Sequence, residues 1–126
     1  MNTRFEYVYT DNSPERNTQY NVAILSGGIT PAQEALIRKS CENGLFIPAQ
    51  VGLPEHRFED GPDQRDHVWF SILPNSFMET DCRPTVDMTV QKLCDKFAAS
   101  ADKWDEGTSR LMDDYLFMLS VPVWQE

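Results

Sequence analysis

A chain of 126 residues and 14.5 kDa with 40 % apolar residues, seven Phe, four Tyr and three Trp has the material for one packed core and is too short for two. Its 20 acidic residues outnumber 11 basic ones for a net charge of -9, which opposes binding to phosphate backbones or anionic membranes and admits a positively charged partner. Residues 1–126 are therefore expected to form a single acidic domain.

Residues 3–10 place Phe5, Tyr7 and Tyr9 on one side of a period-two pattern and Arg4, Glu6 and Thr10 on the other, which predicts a half-buried strand. Turn formers Asp11 to Pro14 follow, and in residues 19–26 Tyr20, Val22 and Ile24 alternate with Asn21, Ala23 and Leu25. The two strands should pair as an antiparallel hairpin. Thr30, Pro31 and Gln33 supply an N-cap, a first-turn proline and a capping-box partner, so a helix begins at Pro31. Asn43-Gly44 stops it near Glu42, with Leu36, Ile37 and Cys41 turned to the core.

Two prolines and a glycine in LFIPAQVGLP, residues 45–54, predict a packed, extended loop. Residues 55–66 hold five acids, two arginines and Gly61-Pro62, the composition of an exposed loop. In residues 67–73 both alternating sets carry an aromatic, as in a central strand; Pro74 ends it, and residues 74–84 should form a loop. Residues 85–88 suit a short strand, after which Thr89 caps a second helix whose stripe is Val90, Leu93, Cys94, Phe97, Ala98, Ala101 and Trp104. Leu111, Met112, Tyr115, Leu116 and Leu119 define a third helix. The pattern is α+β: a small antiparallel sheet of three or four strands with two or three helices packed mainly on one face. The expected core contains Phe5, Tyr7, Val22, Ile24, Leu36, Val68, Phe70, Leu93 and Phe97.

Chemistry is harder to find. Cys41, Cys82 and Cys94 form no C-x-x-C pair and cannot all close into disulfides within one chain, which suits a reducing cytoplasm. Cys41 and Cys94 read as core residues and Cys82 as an exposed thiol. His56 and His67 lack ligand spacing, Ser26-Gly27-Gly28 lacks the lysine of a phosphate loop, and Glu59, Asp60, Asp63 and Asp66 lack the spacing of a calcium loop. No cofactor or metal is expected. The N-terminus does not read as a signal peptide, and no apolar run approaches the about 18 residues of a membrane span. A small enzyme centred on His67, beside Asp66, is the catalytic alternative.

What stands out is charge: -3 over residues 55–66 and -4 over residues 102–126. Carboxylates so distributed can imitate a phosphate backbone and capture the basic groove of a nucleic-acid-binding protein, with Glu59, Asp60, Asp63, Asp66, Asp105, Glu106, Asp113 and Asp114 as the contact set. The apolar run holding Tyr115, Phe117 and Met118, continued by Val123 and Trp124, offers a partner surface or a homodimer seam for an accessory or interaction domain.

Gly28-Ile29-Thr30-Pro31, the stretch FIPAQVGLP, Asp66-His67-Val68-Trp69 and Pro84-Thr85-Val86-Asp87 resemble a group of small uncharacterised bacterial and mobile-element proteins over most of the first hundred residues. In size and acidity the chain is also similar to the anti-CRISPR proteins, many of which bind an effector complex without catalysis. That likeness implies a non-catalytic inhibitor of a nucleic-acid-binding complex of bacterial immunity.

Overall fold

The computed structural model describes residues 1–10, 18–57 and 67–109. Strands β1 (Asn2–Thr10), β2 (Thr18–Leu25), β3 (Leu45–Phe46) and β4 (Phe70–Thr80) form one antiparallel sheet in the order β2-β1-β4-β3, and helices α1 (Pro31–Ser40) and α2 (Val90–Ser100) complete a small α+β fold. The expected third helix over residues 111–119 lies outside the described residues. Among those residues no helix is long and apolar enough to cross a membrane.

The β1–β2 hairpin forms as its alternation predicts, from Thr3 opposite Leu25 to Thr10 opposite Thr18. The inward side of β2 is the reverse of the expected one: Asn21, Ala23 and Leu25 are buried, whereas Val22 is 40 % exposed. The cause lies across the ladder, where Phe5 faces Ala23 and Tyr7 faces Asn21. The β1 rings fill that space and leave room for small partners. Ile24 points outward but is covered, because the Thr85 and Val86 N–H groups donate to its carbonyl and its own N–H donates to the Thr85 hydroxyl. Residues 85–88 are accordingly an irregular segment laid along β2, not a strand, with a single bridge between Ser26 and Thr89.

Pro74 does not end its strand. β4 runs on to Thr80, and its register against β1 jumps from Ile72 opposite Tyr7 to Phe77 opposite Phe5. Proline lacks the N–H a regular ladder needs, and a bulge is where that lack is tolerated. The carbonyls freed at Leu73 and Pro74 accept from Arg38 Nη2 of α1 at 2.8 and 2.9 Å, and the Leu73 N–H donates to Ser76 Oγ. Arg38 is itself held by Glu34 at 2.9 Å. At the other end β4 starts at Phe70, not at residue 67, because the His67 N–H donates to the Tyr9 hydroxyl and the Trp69 N–H to His67 Nδ1 in place of ladder partners.

Helix α1 begins as its capping box dictates: Gln33 N–H donates to Thr30 Oγ1 and Thr30 N–H to Gln33 Oε1. It ends at Ser40, two residues early, and Asn43 and Gly44, both at positive φ, carry the chain into a turn in which Glu42 and Leu45 exchange backbone bonds. Ile37 and Ser40 face inward, so Leu36, one helical step round, is 38 % exposed instead of core. The stretch expected as an extended loop contains β3 and a 3₁₀ turn, Pro48–Val51, with Phe46, Ile47, Val51 and Leu53 buried.

Helix α2 buries Val90, Leu93, Cys94 and Phe97 but leaves Ala98 exposed and stops at Ser100. Trp104, expected on its stripe, lies beyond the helix and returns to the core: its indole N–H donates to the Ser40 carbonyl at 2.9 Å, and its ring meets Phe97 edge-on at 5.7 Å. Phe97→Ala should cost about 3 to 5 kcal/mol, since this wholly buried ring also packs on Phe46. Leu36→Ala should cost about 1 kcal/mol or less. Urea denaturation of both variants checks the contrast.

Candidate functional site

Buried polar groups converge where residues 53–57 cross the end of the hairpin. Asn21, an amide on an apolar strand, donates from Nδ2 to the His56 carbonyl at 3.0 Å, and the His56 N–H donates back to Oδ1 at 2.8 Å. A buried carboxamide needs both partners, so it fixes the course of this segment. The Tyr7 hydroxyl donates to the Pro54 carbonyl at 2.6 Å. Burial, with the Glu55 charge adding to it, pushes the phenol above its ordinary range.

Glu55 and Arg57 stand at the centre, with side chains only 6 % and 10 % exposed. Glu55 Oε2 accepts from the Ala49 N–H at 3.0 Å; Oε1 accepts from Ser109 Oγ at 2.7 Å and from Arg57 Nη1 at 3.4 Å. Arg57 Nε donates to the His67 carbonyl at 2.9 Å. The guanidinium lies against the rings of Tyr9 and Phe70, with Cζ 5.1 and 4.9 Å from their centroids. Those π faces offer an electrostatic partner to the guanidinium, whose Nη2 is buried without a hydrogen bond.

The consequence concerns the acidic segments. Residues 58–66 leave the described fold at Arg57 and rejoin it at His67, and the Arg57-to-His67 bond ties those two ends together. Residues 110–126 follow Ser109, whose hydroxyl is held by Glu55. The turn carrying Asp105 and Glu106 is fixed to Gln50, which accepts from the Asp105 N–H at 2.8 Å and donates to the Lys103 carbonyl at 3.1 Å. Asp105 Oδ1 in turn accepts from the Gly107 N–H.

Of the acids singled out in the sequence, the structure thus places Asp105 and Glu106, both exposed. Glu59, Asp60, Asp63, Asp66, Asp113 and Asp114 lie outside the described residues, as do Tyr115, Phe117, Met118, Val123 and Trp124 of the suggested seam. The anchoring residues Asn21, Gln50, Glu55, Arg57 and Ser109 were not legible as such. The one signal was Asn21, a carboxamide inside an apolar strand.

His67 is a positioning group in this geometry. Its Nδ1 accepts from the Trp69 N–H at 3.1 Å, and its Nε2 lies 2.7 Å from the Thr10 carbonyl, which can only accept, so Nε2 carries the proton. Both ring nitrogens thus have backbone partners, which hold the imidazole across Thr10 and Trp69. Among the described residues no three His, Cys, Asp or Glu side chains gather as metal ligands. A cleft of about 470 Å³ lies between α1 and β4, but its Arg38 is already spent on Glu34 and the β4 bulge. A second, of about 370 Å³, lies over Gly27 and Gly28, whose turn is held by bonds to Asn2 and Thr3.

No protein-family model matches the chain, and neither a curated protein nor a solved structure is significantly similar to it.

Arg57→Met should destabilise the fold by about 3 to 5 kcal/mol, because it leaves the Glu55 carboxylate buried without its counter-charge; Arg57→Met with Glu55→Leu should recover part of that loss in urea denaturation. Burial raises the thiols of Cys41, to about 12, and of Cys94, while Cys82 is exposed. An aromatic disulfide reagent should therefore label one thiol rapidly in the native protein and the other two only after unfolding.

Proposed function

We propose that the protein is a non-catalytic binding protein that engages a basic protein surface through Glu59, Asp60, Asp63, Asp66, Asp105, Glu106, Asp113 and Asp114. The observation that carries this reading is the shared anchorage of the acidic segments: Glu55 accepts from both Arg57 and Ser109, the residues at which segments 58–66 and 110–126 leave the described fold. Residues 55–66 and 102–126 together hold seven of the nine net negative charges. Both acidic segments start from residues bonded to one carboxylate, and like charges carried on two chains with a common root add their fields in attracting a basic surface at long range.

A groove lined by Lys and Arg, shaped to hold a nucleic-acid backbone, is the partner such a field selects. The size and acidity shared with anti-CRISPR proteins support a nucleic-acid-binding complex of bacterial immunity as its owner, held by mimicry of the nucleic acid it would bind. Displacement of duplex DNA from purified CRISPR effector complexes tests this. Wild type should displace DNA, less so as salt rises, and a variant with Lys at Asp60, Asp63, Asp113 and Asp114 should lose the effect. Equal displacement by both proteins at every ionic strength would refute the acidic reading.

A further inference from the structure

Strand β2 forms one edge of the sheet, and among the described residues only part of its outward backbone has a partner. The N–H and C=O of Ile24 turn away from β1, since they bond to Thr85 and Val86, and those of Ser26 bond to Val90 and Met88. The β1–β2 register is unbroken, so the backbone groups of Thr18, Tyr20 and Val22 also point outward. Among the described residues nothing bonds the outward groups of Val22 or the N–H of Tyr20, and the Tyr20 carbonyl has only the Gln19 side chain at 3.5 Å. Two apolar side chains beside this ladder, Tyr20 and Val22, stand in water, with Tyr20 59 % exposed. β2 reads TQYNVAIL, without a charge, a proline or a bulge, the devices that usually protect an edge.

From this we infer that the Thr18–Val22 stretch of β2 is the seam of a homodimer, in which two copies join edge to edge into one eight-stranded sheet. Unpaired ladder groups select an extended strand, and the open stretch is self-complementary. It is bounded by the covered Ile24 at one end and the strand's start at Thr18 at the other, so Tyr20 lies at its middle. A two-fold axis at Tyr20 sets Thr18 against the partner's Val22 and brings the two Tyr20 rings side by side on the outer face. Charge favours a second copy over a basic partner here. In a chain of net charge -9 this is a neutral stretch, so two copies can meet without opposing like charges in the seam.

The inference is independent of the proposed function, and salt separates the two. Repulsion between two copies is screened as ionic strength rises, so self-association should strengthen with salt, whereas capture of a basic partner should weaken. Sedimentation equilibrium over a concentration series, at low and high salt, should show a dimer fraction that grows with both variables. Val22→Pro removes an N–H that β1 does not use, and Tyr20→Lys places a charge on the axis while leaving the backbone intact. Both variants should stay monomeric across the series with an unchanged far-ultraviolet circular dichroism spectrum. Should Val22→Pro fail to fold, Tyr20→Lys decides alone. A wild type that is monomeric throughout, or a dimer that Tyr20→Lys retains, overturns the proposal. The four-lysine variant described above should still dimerise, so failure of either reading is visible without the other.

Discussion

Three rings on one strand set the terms for the rest of the molecule. Phe5, Tyr7 and Tyr9 project from the same side of β1, and all are wholly buried near the middle of the sheet. Covering so much ring surface demands α2, the Phe46 of β3 and the Phe70 and Phe77 of β4, which contact these rings or one another. Two of the three rings also carry hydroxyls, and a buried hydroxyl needs a partner. Tyr7 finds the Pro54 carbonyl, and Tyr9 accepts from the His67 N–H. The polar tips of β1 thereby draw residues 54 and 67 to the same end of the sheet. The buried ion pair and the roots of the acidic segments follow from that placement.

A carboxylate and a guanidinium taken out of water cost more than their mutual attraction returns unless further bonds satisfy them. Glu55 has a backbone N–H and a serine hydroxyl besides its arginine, and Arg57 has a carbonyl and two aromatic faces. The pair is thus less a source of stability than a specifier of position. Together these bonds fix where two acidic stretches depart from the described fold.

Much of the fold was legible because local rules and tertiary needs agreed. The capping box of Thr30 and Gln33, the aromatic alternation of β1 and most of the apolar stripe of α2 each pointed to the observed element. Where they disagreed, packing decided. Alternation alone cannot say which side of β2 is inward, and the bulkier set, Tyr20 with Val22, lost to Asn21 and Ala23 because the rings of β1 had taken the volume. Pro74 reads as a strand end until an arginine from another element supplies donors to the carbonyls around it. The anchoring cluster was hidden for a similar reason: Glu55 and Arg57 sit in a run of charged residues whose composition matches an exposed loop, and nothing local distinguishes the two that are buried. Asp105 and Glu106 are exposed, as their composition leads one to expect.

The pairing of β1 with β4 also shapes how the chain reaches its fold. Phe5 meets Phe77 across about seventy residues, a closure whose entropy cost must be met before any of its contacts form. The β1–β2 hairpin pairs strands that are close in sequence and can form early, but alone it presents Phe5, Tyr7 and Tyr9 to water. A ribosome delivering this chain extends it by dozens of residues before β4 emerges to cover those rings. For that interval the nascent protein carries an open aromatic face, and its yield in the cell rests on how quickly the second half arrives or on a chaperone that shields the first.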